Sequence, residues 1–208
     1  MTTGIMDFWL NQSAACIWGA GLIFGLSHTL LAGQTCRAWA ARHRVNATAY
    51  RLAYSLLATL LTGLWLWLAH ALPDHVLYAL EGDAAVPLYA AQAIGLGIIL
   101  LSLRAFDAAI FLGLKPMPAG GESFVESGIY RHMRHPMYTG FMLLLLASPV
   151  HSVNSLHLSL AISAYFIIGS FFEERRMLAS HPDYDGYRRR VPAFIPIGPL
   201  FHRPGTSQ

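Results

Sequence analysis

Two polar clusters interrupt an otherwise apolar chain. The first polar cluster, residues 128–140, reads GIYRHMRHPMYTG and holds two arginines, two histidines, two tyrosines and a proline directly before an apolar run. The second polar cluster, residues 173–192, begins with Glu173 and Glu174 and ends with three consecutive arginines, a valine and a proline. Because charge beside a lipid-spanning segment costs free energy, both clusters are candidate functional sites.

The first polar cluster offers a binding site for a ligand with charges of both signs. Pro136 is predicted to open a helix, whose free N–H groups and positive dipole end attract a carboxylate or a phosphate. Arg131 and Arg134 add positive charge, while Tyr130 and Tyr138 offer rings that can face a cation or stack on a base. S-adenosylmethionine carries a carboxylate, a sulfonium and a flat purine, so it would use all three features.

Ordinary explanations compete with a functional one for these residues. Arg131 and Arg134 could be loop charges of the kind that flank any membrane span, but the fixed spacing of Arg134 and His135 to Pro136 favours a site. His132 and His135 lie three residues apart, as some metal ligands do. No further ligand is arranged nearby in the sequence, so we predict no metal.

The same comparison applies to the second polar cluster and to a histidine in the first apolar run. Glu173 and Glu174 could form ion pairs with nearby arginines, yet a carboxylate facing lipid is costly, so one of them is expected to face the bundle interior. Glu173 is the favoured functional residue. His28 is predicted to bond a neighbouring helix, with a place in an acceptor cavity left open. The arginines at 188–190 are predicted to anchor lipid headgroups.

The composition predicts a membrane protein. Hydrophobic residues make up 55% of the chain and charged residues only 12%, where a soluble domain carries roughly a quarter. A membrane-crossing helix needs about 20 apolar residues. The fold class predicted is all-α, a polytopic membrane protein with about five transmembrane helices at residues 13–33, 50–70, 86–104, 136–150 and 154–172. The fourth stretch is short, so 136–172 is expected to form a helical hairpin that turns at residues 151–155.

The loop charges predict an orientation. With five crossings every lysine and arginine lies on one face, which is cytoplasmic by the positive-inside rule, with the N-terminus outside and the C-terminus in the cytoplasm. Four crossings would split these cations between two faces. Such one-sided charge favours contact with membrane lipids and argues against nucleic acid. Cys16 and Cys36 suggest neither a disulfide framework nor a metal site.

Two parts of the chain are predicted to have different roles. Residues 1–104 would form the first three transmembrane helices, in which Gly95 and Gly97 let helices approach closely. Residues 105–208 would form a core with a cytoplasmic loop, a helical hairpin and a C-terminal helix. Whether residues 104–127 act as a lid is left open, as is the oligomeric state.

Both polar clusters resemble the isoprenylcysteine carboxyl methyltransferase superfamily, whose members are integral-membrane enzymes that bind S-adenosylmethionine. The resemblance covers about residues 122–197. It rests on Tyr130, Arg134-His135-Pro136, Tyr138, Gly140, Glu173-Glu174, Tyr184, Tyr187, Arg190-Val191-Pro192 and Ile195-Pro196. Ser27, His28 and residues 106–113 look more like the bacterial branch, which includes NnrU-type proteins and methanethiol S-methyltransferases.

The resemblance implies roles for particular residues. Cofactor contacts fall on Glu122, Ser123, Phe124, Val125, Tyr130, His135, Pro136, Met137 and Tyr138. Catalytic roles fall on Glu173, His135 and Arg134, and substrate binding on Glu173, Glu174 and His28. In the eukaryotic enzymes an arginine one helical turn before the glutamate helps to hold the acceptor, whereas Gly169 occupies that position here. The absence of that arginine leaves a smaller or uncharged acceptor open.

The implied activity is methyl transfer from S-adenosylmethionine to a small or lipophilic thiol or carboxylate, at the bacterial inner membrane and with the active site facing the cytoplasm. Transfer would be an in-line displacement that depends on alignment and desolvation, with Glu173 or His135 taking a thiol proton. The alternative is a non-enzymatic NnrU-like accessory protein of nitrogen-oxide metabolism. A transporter is disfavoured, because no span is clearly broken and no repeat pairs the spans.

Overall fold

The computed structural model describes residues 2–116 and 124–196, and these form helices with one small sheet. The helices are α1 (Thr2–Ala32), α2 (Gln34–Arg42), α3 (Ala47–Ala71), α4 (Val86–Leu103), α5 (Ala108–Phe111), α6 (Pro136–Leu146), α7 (Val153–Ser180) and α8 (Tyr184–Arg190). The strands are β1 (Val76–Ala79) and β2 (Val150–Ser152), and 3-10 turns occupy Gly82–Ala84 and Gly128–Arg131.

Within the described residues, four helical segments are long and apolar enough to cross a membrane. They are Asn11–Ala32, Ala47–Ala71, Gly82–Leu103 and Val153–Ser180. The apolar helix α6 has 11 residues. At about 1.5 Å per residue it spans roughly half of a 30 Å hydrocarbon core. The all-helical, multi-pass membrane fold is confirmed, with four long candidate spans and the shorter apolar helix α6.

The predicted helix over residues 136–150 is too long, and the predicted turn over residues 151–155 is misplaced. Helix α6 ends at Leu146, because Pro149 offers no backbone N–H and disfavours helical backbone in the residue before it. Strand β2 begins at Val150 and pairs antiparallel with β1. Helix α7 then begins at Val153, behind a capping box in which Ser152 and Ser155 bond each other's backbone N–H groups.

The pairing of β1 with β2 determines the direction in which the flanking helices run through the bundle. Strand β1 lies between α3 and α4, and β2 lies between α6 and α7, so both connections meet at one end of the bundle. We call it the sheet end. Helix α6 therefore carries the chain from the opposite end back to the sheet end despite its short length. That opposite end, the basic end, carries α2 and both polar clusters.

Helices α4 and α6 touch through two glycines. A Cβ built on Gly95 would lie 2.7 Å from the carbonyl oxygen of Gly140, and a Cβ on Gly140 would lie 2.7 Å from the carbonyl oxygen of Gly95. Nearby, Gln92 Nε2 donates to the carbonyl oxygen of Leu144 at 2.9 Å. The packing role predicted for Gly95 is confirmed and that for Gly97 is wrong. Two residues along a helix turn about 200°, and a Cβ on Gly97 would meet no atom within 4 Å.

We expect Gly140→Val to destabilise the protein by about 1–3 kcal/mol, because the added methyl groups would collide with the backbone of α4. Gly97→Val is the matched control, since open space surrounds that position. Thermal unfolding in detergent should show a clearly lower Tm for Gly140→Val and a Tm near wild type for Gly97→Val. Equal melting temperatures for the two variants would contradict the close packing of α4 on α6.

Candidate functional site

The first polar cluster is held in place by the end of the described chain. The backbone N–H groups of Arg134 and His135 donate to the carbonyl oxygens of residues 192 and 193, each over 2.9 Å. One turn into α6, the Thr139 hydroxyl donates to the carbonyl oxygen of residue 194 over 3.0 Å. The segment 192–194 thus fixes the backbone that leads into α6, a contact that sequence spacing alone does not reveal.

A buried ion pair joins the two polar clusters. Arg134 contacts Oε1 of Glu174 through Nη2 at 2.7 Å and through Nε at 2.9 Å, and both side chains are 11% exposed. Nη1 of Arg134 donates to the carbonyl oxygens of Arg188 and Val191, the first over 2.9 Å. Most of the donors of this guanidinium are therefore engaged inside the protein. The charge of Arg134 is compensated by Glu174 rather than available to a ligand.

His135 lies between the two glutamates. Its Nε2 is 3.0 Å from Oε1 of Glu174, and its Nδ1 is 3.9 Å from Oε2 of Glu173. An ionised carboxylate only accepts hydrogen bonds, so we assign a proton to Nε2. In the neutral imidazole the Nδ1 lone pair then faces Glu173. This arrangement suits a group that receives a proton from the direction of Glu173.

Glu173 is the more accessible of the two carboxylates. The Tyr138 hydroxyl donates to Oε2 of Glu173 over 2.8 Å, and the Glu173 side chain is 39% exposed. No hydrogen bond to Oε1 occurs within the described part of the chain. The Tyr138 ring stacks on His135, with centroids 5.4 Å apart, and on Phe166, with centroids 4.7 Å apart. Glu173 is thus aimed by a stacked tyrosine while one carboxylate oxygen stays open.

The tyrosines of the second polar cluster pack against Phe124, one of the residues predicted to contact the cofactor. Tyr184 and Tyr187 are buried and pack with Phe124, whose ring meets that of Tyr184 edge-on at 5.4 Å. The Tyr187 hydroxyl donates to the carbonyl oxygen of Tyr130 over 2.7 Å. Burial, with the charge of Glu174 as the next cause, raises the pKa of Tyr184 to about 12. Burial likewise raises the pKa of Tyr187, so both phenols stay protonated at neutral pH.

The other residues predicted to contact the cofactor differ in their burial. Tyr130 and Pro136 are buried, whereas Val125 and Met137 are half-buried. Glu122 and Ser123 lie outside the described residues. The described residues contain no group of three or more His, Cys, Asp or Glu side chains that could hold a metal ion.

His28 belongs to a different group of side chains. Its Nε2 is 2.5 Å from the Tyr54 hydroxyl and its Nδ1 is 2.8 Å from the Tyr165 hydroxyl. Helices α1, α3 and α7 meet there, and we call these three residues the intramembrane polar cluster. Tyr165 packs against Phe166, which stacks on Tyr138. The predicted bond to a neighbouring helix is confirmed. The two tyrosines were missed, and their only signal was a hydroxyl inside an apolar helix.

One protein-family model matches most of the chain. The family model described as NnrU protein matches residues 16–192, which include both polar clusters and the intramembrane polar cluster. The chain belongs to the NnrU family. The bacterial branch indicated by the sequence is thereby confirmed for this NnrU family member.

Its relatives carry methyltransferase names. Methanethiol S-methyltransferase 2 of Bradyrhizobium diazoefficiens is 30% identical over 193 residues, which cover 89% of this chain and 73% of the relative. Methanethiol S-methyltransferase of Mycobacterium tuberculosis is 28% identical over 182 residues, which cover 84% of this chain and 74% of the relative. Protein-S-isoprenylcysteine O-methyltransferase of Schizosaccharomyces pombe is 34% identical over 79 residues, covering 36% and 34%. No solved structure matches the NnrU family chain.

Proposed function

We propose that this membrane methyltransferase uses S-adenosylmethionine as methyl donor and a small thiol as acceptor. Relatives named methanethiol S-methyltransferase align with 84% to 89% of the chain, and this extent supports a shared reaction. The observation that carries the proposal is the contact between Tyr138 and Glu173. It places a partly exposed carboxylate and an aromatic face at the start of α6, where an anion is also favoured.

The residues at this site fit the three parts of the proposed donor. The N–H groups of Met137 and Tyr138 lie in the first turn of α6, where no helix carbonyl is available to them, so they suit a carboxylate. The aromatic group of His135, Tyr138 and Phe166 lies beside the same turn, and its half-buried members Tyr138 and Phe166 would border the sulfonium. Phe124 stands near enough to the buried tyrosines to border a flat ring. When bound, S-adenosylmethionine supplies a methyl group on a positively charged sulfur.

The chain itself would supply alignment and a place for the acceptor's proton. Glu173 takes the proton from the thiol, with Tyr138 holding Oε2 and with the Nδ1 lone pair of His135 behind it. Arg134 and Glu174 act as positioning residues, because their buried ion pair engages the guanidinium and the Glu174 carboxylate also contacts the ring of His135.

We further propose that the site faces the cytoplasm of a bacterial inner membrane. Among the described residues, the lysines and arginines outside the helical spans lie at the basic end, which holds both polar clusters. Cationic loops stay on the cytoplasmic side during insertion. Helix α7 supports this depth, because Glu173 lies 20 residues beyond Val153, a rise of about 30 Å that equals one hydrocarbon thickness.

We expect the purified wild type to bind S-adenosylmethionine in isothermal titration calorimetry. Tyr138→Ala should bind roughly tenfold more weakly, because it removes both the stacked ring and the support of Glu173. Tyr89→Ala removes an exposed tyrosine from α4 and serves as the matched control. A folded wild type that shows no binding would overturn the proposal and favour the accessory-protein alternative. Equal binding by both variants would move the cofactor away from Tyr138.

A further inference from the structure

The intramembrane polar cluster has an unused hydrogen-bond donor. A neutral imidazole donates from one ring nitrogen and accepts at the other, and both nitrogens of His28 contact a tyrosine hydroxyl. One tyrosine therefore donates to His28, while the other accepts from it and keeps its own O–H. Neither Tyr54 nor Tyr165 makes a second hydrogen bond within residues 2–116 and 124–196. Both tyrosines are half-buried within apolar helices, where a polar donor normally has a partner, so this O–H is available to a ligand.

Arg176 adds a positive charge to the same region. It is half-buried and lies three residues beyond Glu173 on α7, on the face of that helix that also carries Tyr165. Within the described parts of the chain it forms no hydrogen bond or ion pair. The arginines around it differ: Arg134 pairs with Glu174, Arg188 and Arg189 pair with Asp185, and Arg190 pairs with Glu126. A partly desolvated guanidinium without a carboxylate is costly unless an anion binds to it.

Open space lies on the same face of α7. Tyr165, Gly169 and Glu173 follow one another at intervals of four residues, and Arg176 comes three residues later, so all four share one face. A Cβ built on Gly169 would meet no atom within 4 Å. The space therefore lies between the tyrosine of the intramembrane polar cluster and the candidate base. Arg176 supplies a positive charge beside this space, although Gly169 occupies the position where the eukaryotic enzymes carry an arginine.

We propose that Arg176, Gly169 and the intramembrane polar cluster form the acceptor subsite, and that the acceptor reacts there as a small anionic thiolate. This inference rests on the proposed function. The thiol gives its proton to Glu173, and Arg176 pairs with the sulfur anion while the free phenol O–H donates to it. The sulfur lone pair then forms the bond to the methyl carbon. The bond from that carbon to the sulfonium breaks, its electron pair stays on the donor sulfur, and two neutral thioethers result.

The test measures methyl transfer to methanethiol by the full-length protein in detergent, with Arg176→Gln, Arg176→Lys and the exposed neighbour Arg175→Gln as matched control. We expect Arg176→Gln to lower kcat/KM for methanethiol by roughly 10- to 100-fold, the effect of losing a charge-assisted hydrogen bond. Its Kd for S-adenosylmethionine should stay within about twofold of wild type. Arg176→Lys should recover most of the activity, because a lysine restores the charge, and Arg175→Gln should match wild type.

A second variant tests the space without changing any charge. Gly169→Leu should raise the KM for methanethiol by about tenfold or more while calorimetry still shows cofactor binding, since the side chain would fill the open face of α7. Gly63→Leu, in an equally open and exposed position on α3, is its control. This pair of variants decides the inference even if Arg176→Gln does not fold.

Different results would overturn different statements. A wild type that binds no S-adenosylmethionine, or does not methylate methanethiol, would overturn the proposed function and the subsite with it. An active wild type whose Arg176→Gln and Arg175→Gln variants have equal kcat/KM for methanethiol would overturn the subsite alone. Weaker cofactor binding by Arg176→Gln, with acceptor KM unchanged, would assign Arg176 to the donor and would likewise overturn the subsite.

Discussion

Glu173→Gln is expected to lower the rate of methyl transfer to a thiol by about 100- to 10,000-fold, the usual contribution of a positioned general base. Glutamine keeps the shape of the side chain and can still accept the hydrogen bond from Tyr138, but it cannot take up a proton. The 39% exposure of Glu173 and its open Oε1 give an acceptor direct access to this carboxylate. The Tyr138 hydroxyl holds it in place, so the substitution removes the chemistry with little change in structure.

The measurement is single-turnover methyl transfer with saturating methanethiol, accompanied by calorimetric binding of S-adenosylmethionine. Cofactor affinity should change little, because the proposed cofactor contacts lie on the α6 side of the site. Glu81→Gln removes an exposed carboxylate near the sheet end and should leave the rate unchanged. A Glu173→Gln variant that keeps more than half of the wild-type rate would show that the thiol loses its proton elsewhere.

Glu174→Gln is expected to reduce the free energy of unfolding by about 3–5 kcal/mol. It removes one partner of a buried pair and leaves the guanidinium of Arg134 without compensating charge. The change also weakens the contact with Nε2 of His135. Since Arg134 additionally holds the carbonyl oxygens of Arg188 and Val191, the loosening should reach the C-terminal segment. Glu174 would then contribute to the stability of the protein, whereas Glu173 contributes to the rate of methyl transfer.

Denaturation in detergent without ligand should show this loss for Glu174→Gln. The control is Asp185→Asn, which removes an exposed pair with Arg189 and should cost about 1 kcal/mol or less. In a double-mutant cycle, Arg134→Met combined with Glu174→Gln should cost clearly less than the two single changes added together. Additive costs, or a Glu174→Gln loss no greater than that of Asp185→Asn, would contradict a coupled buried pair.

Several features of the fold and site are predictable from the sequence. Long apolar runs identified the four full-length spans within a few residues for most ends, because no soluble environment tolerates such segments and their backbone must form helices in lipid. Pro136 predicted the start of α6, since proline suits the first turn of a helix. The charged side chains next to apolar runs identified both polar clusters, because such placement is costly without a purpose.

The division of labour between Glu173 and Glu174 depended on the tertiary structure. Adjacent residues on a helix point about 100° apart, so only one of them can face a given neighbour. Which one faces Arg134 depends on the rotation of α7 against α6. That rotation is set by packing such as the contact between Gly95 and Gly140, and by the attachment of Arg134 and His135 to residues 192–194.

The sequence by itself determined the class of protein, the number of long spans and the position of the polar clusters along the chain. The tertiary structure decided which side chains meet, including His28 with Tyr54 and Tyr165, and the open face of α7 beside Gly169. The reason lies in the solvent. Lipid tails are as apolar as the side chains of a packed helix, so the pattern of hydrophobic residues reveals where a helix crosses the membrane but not which face meets its neighbours.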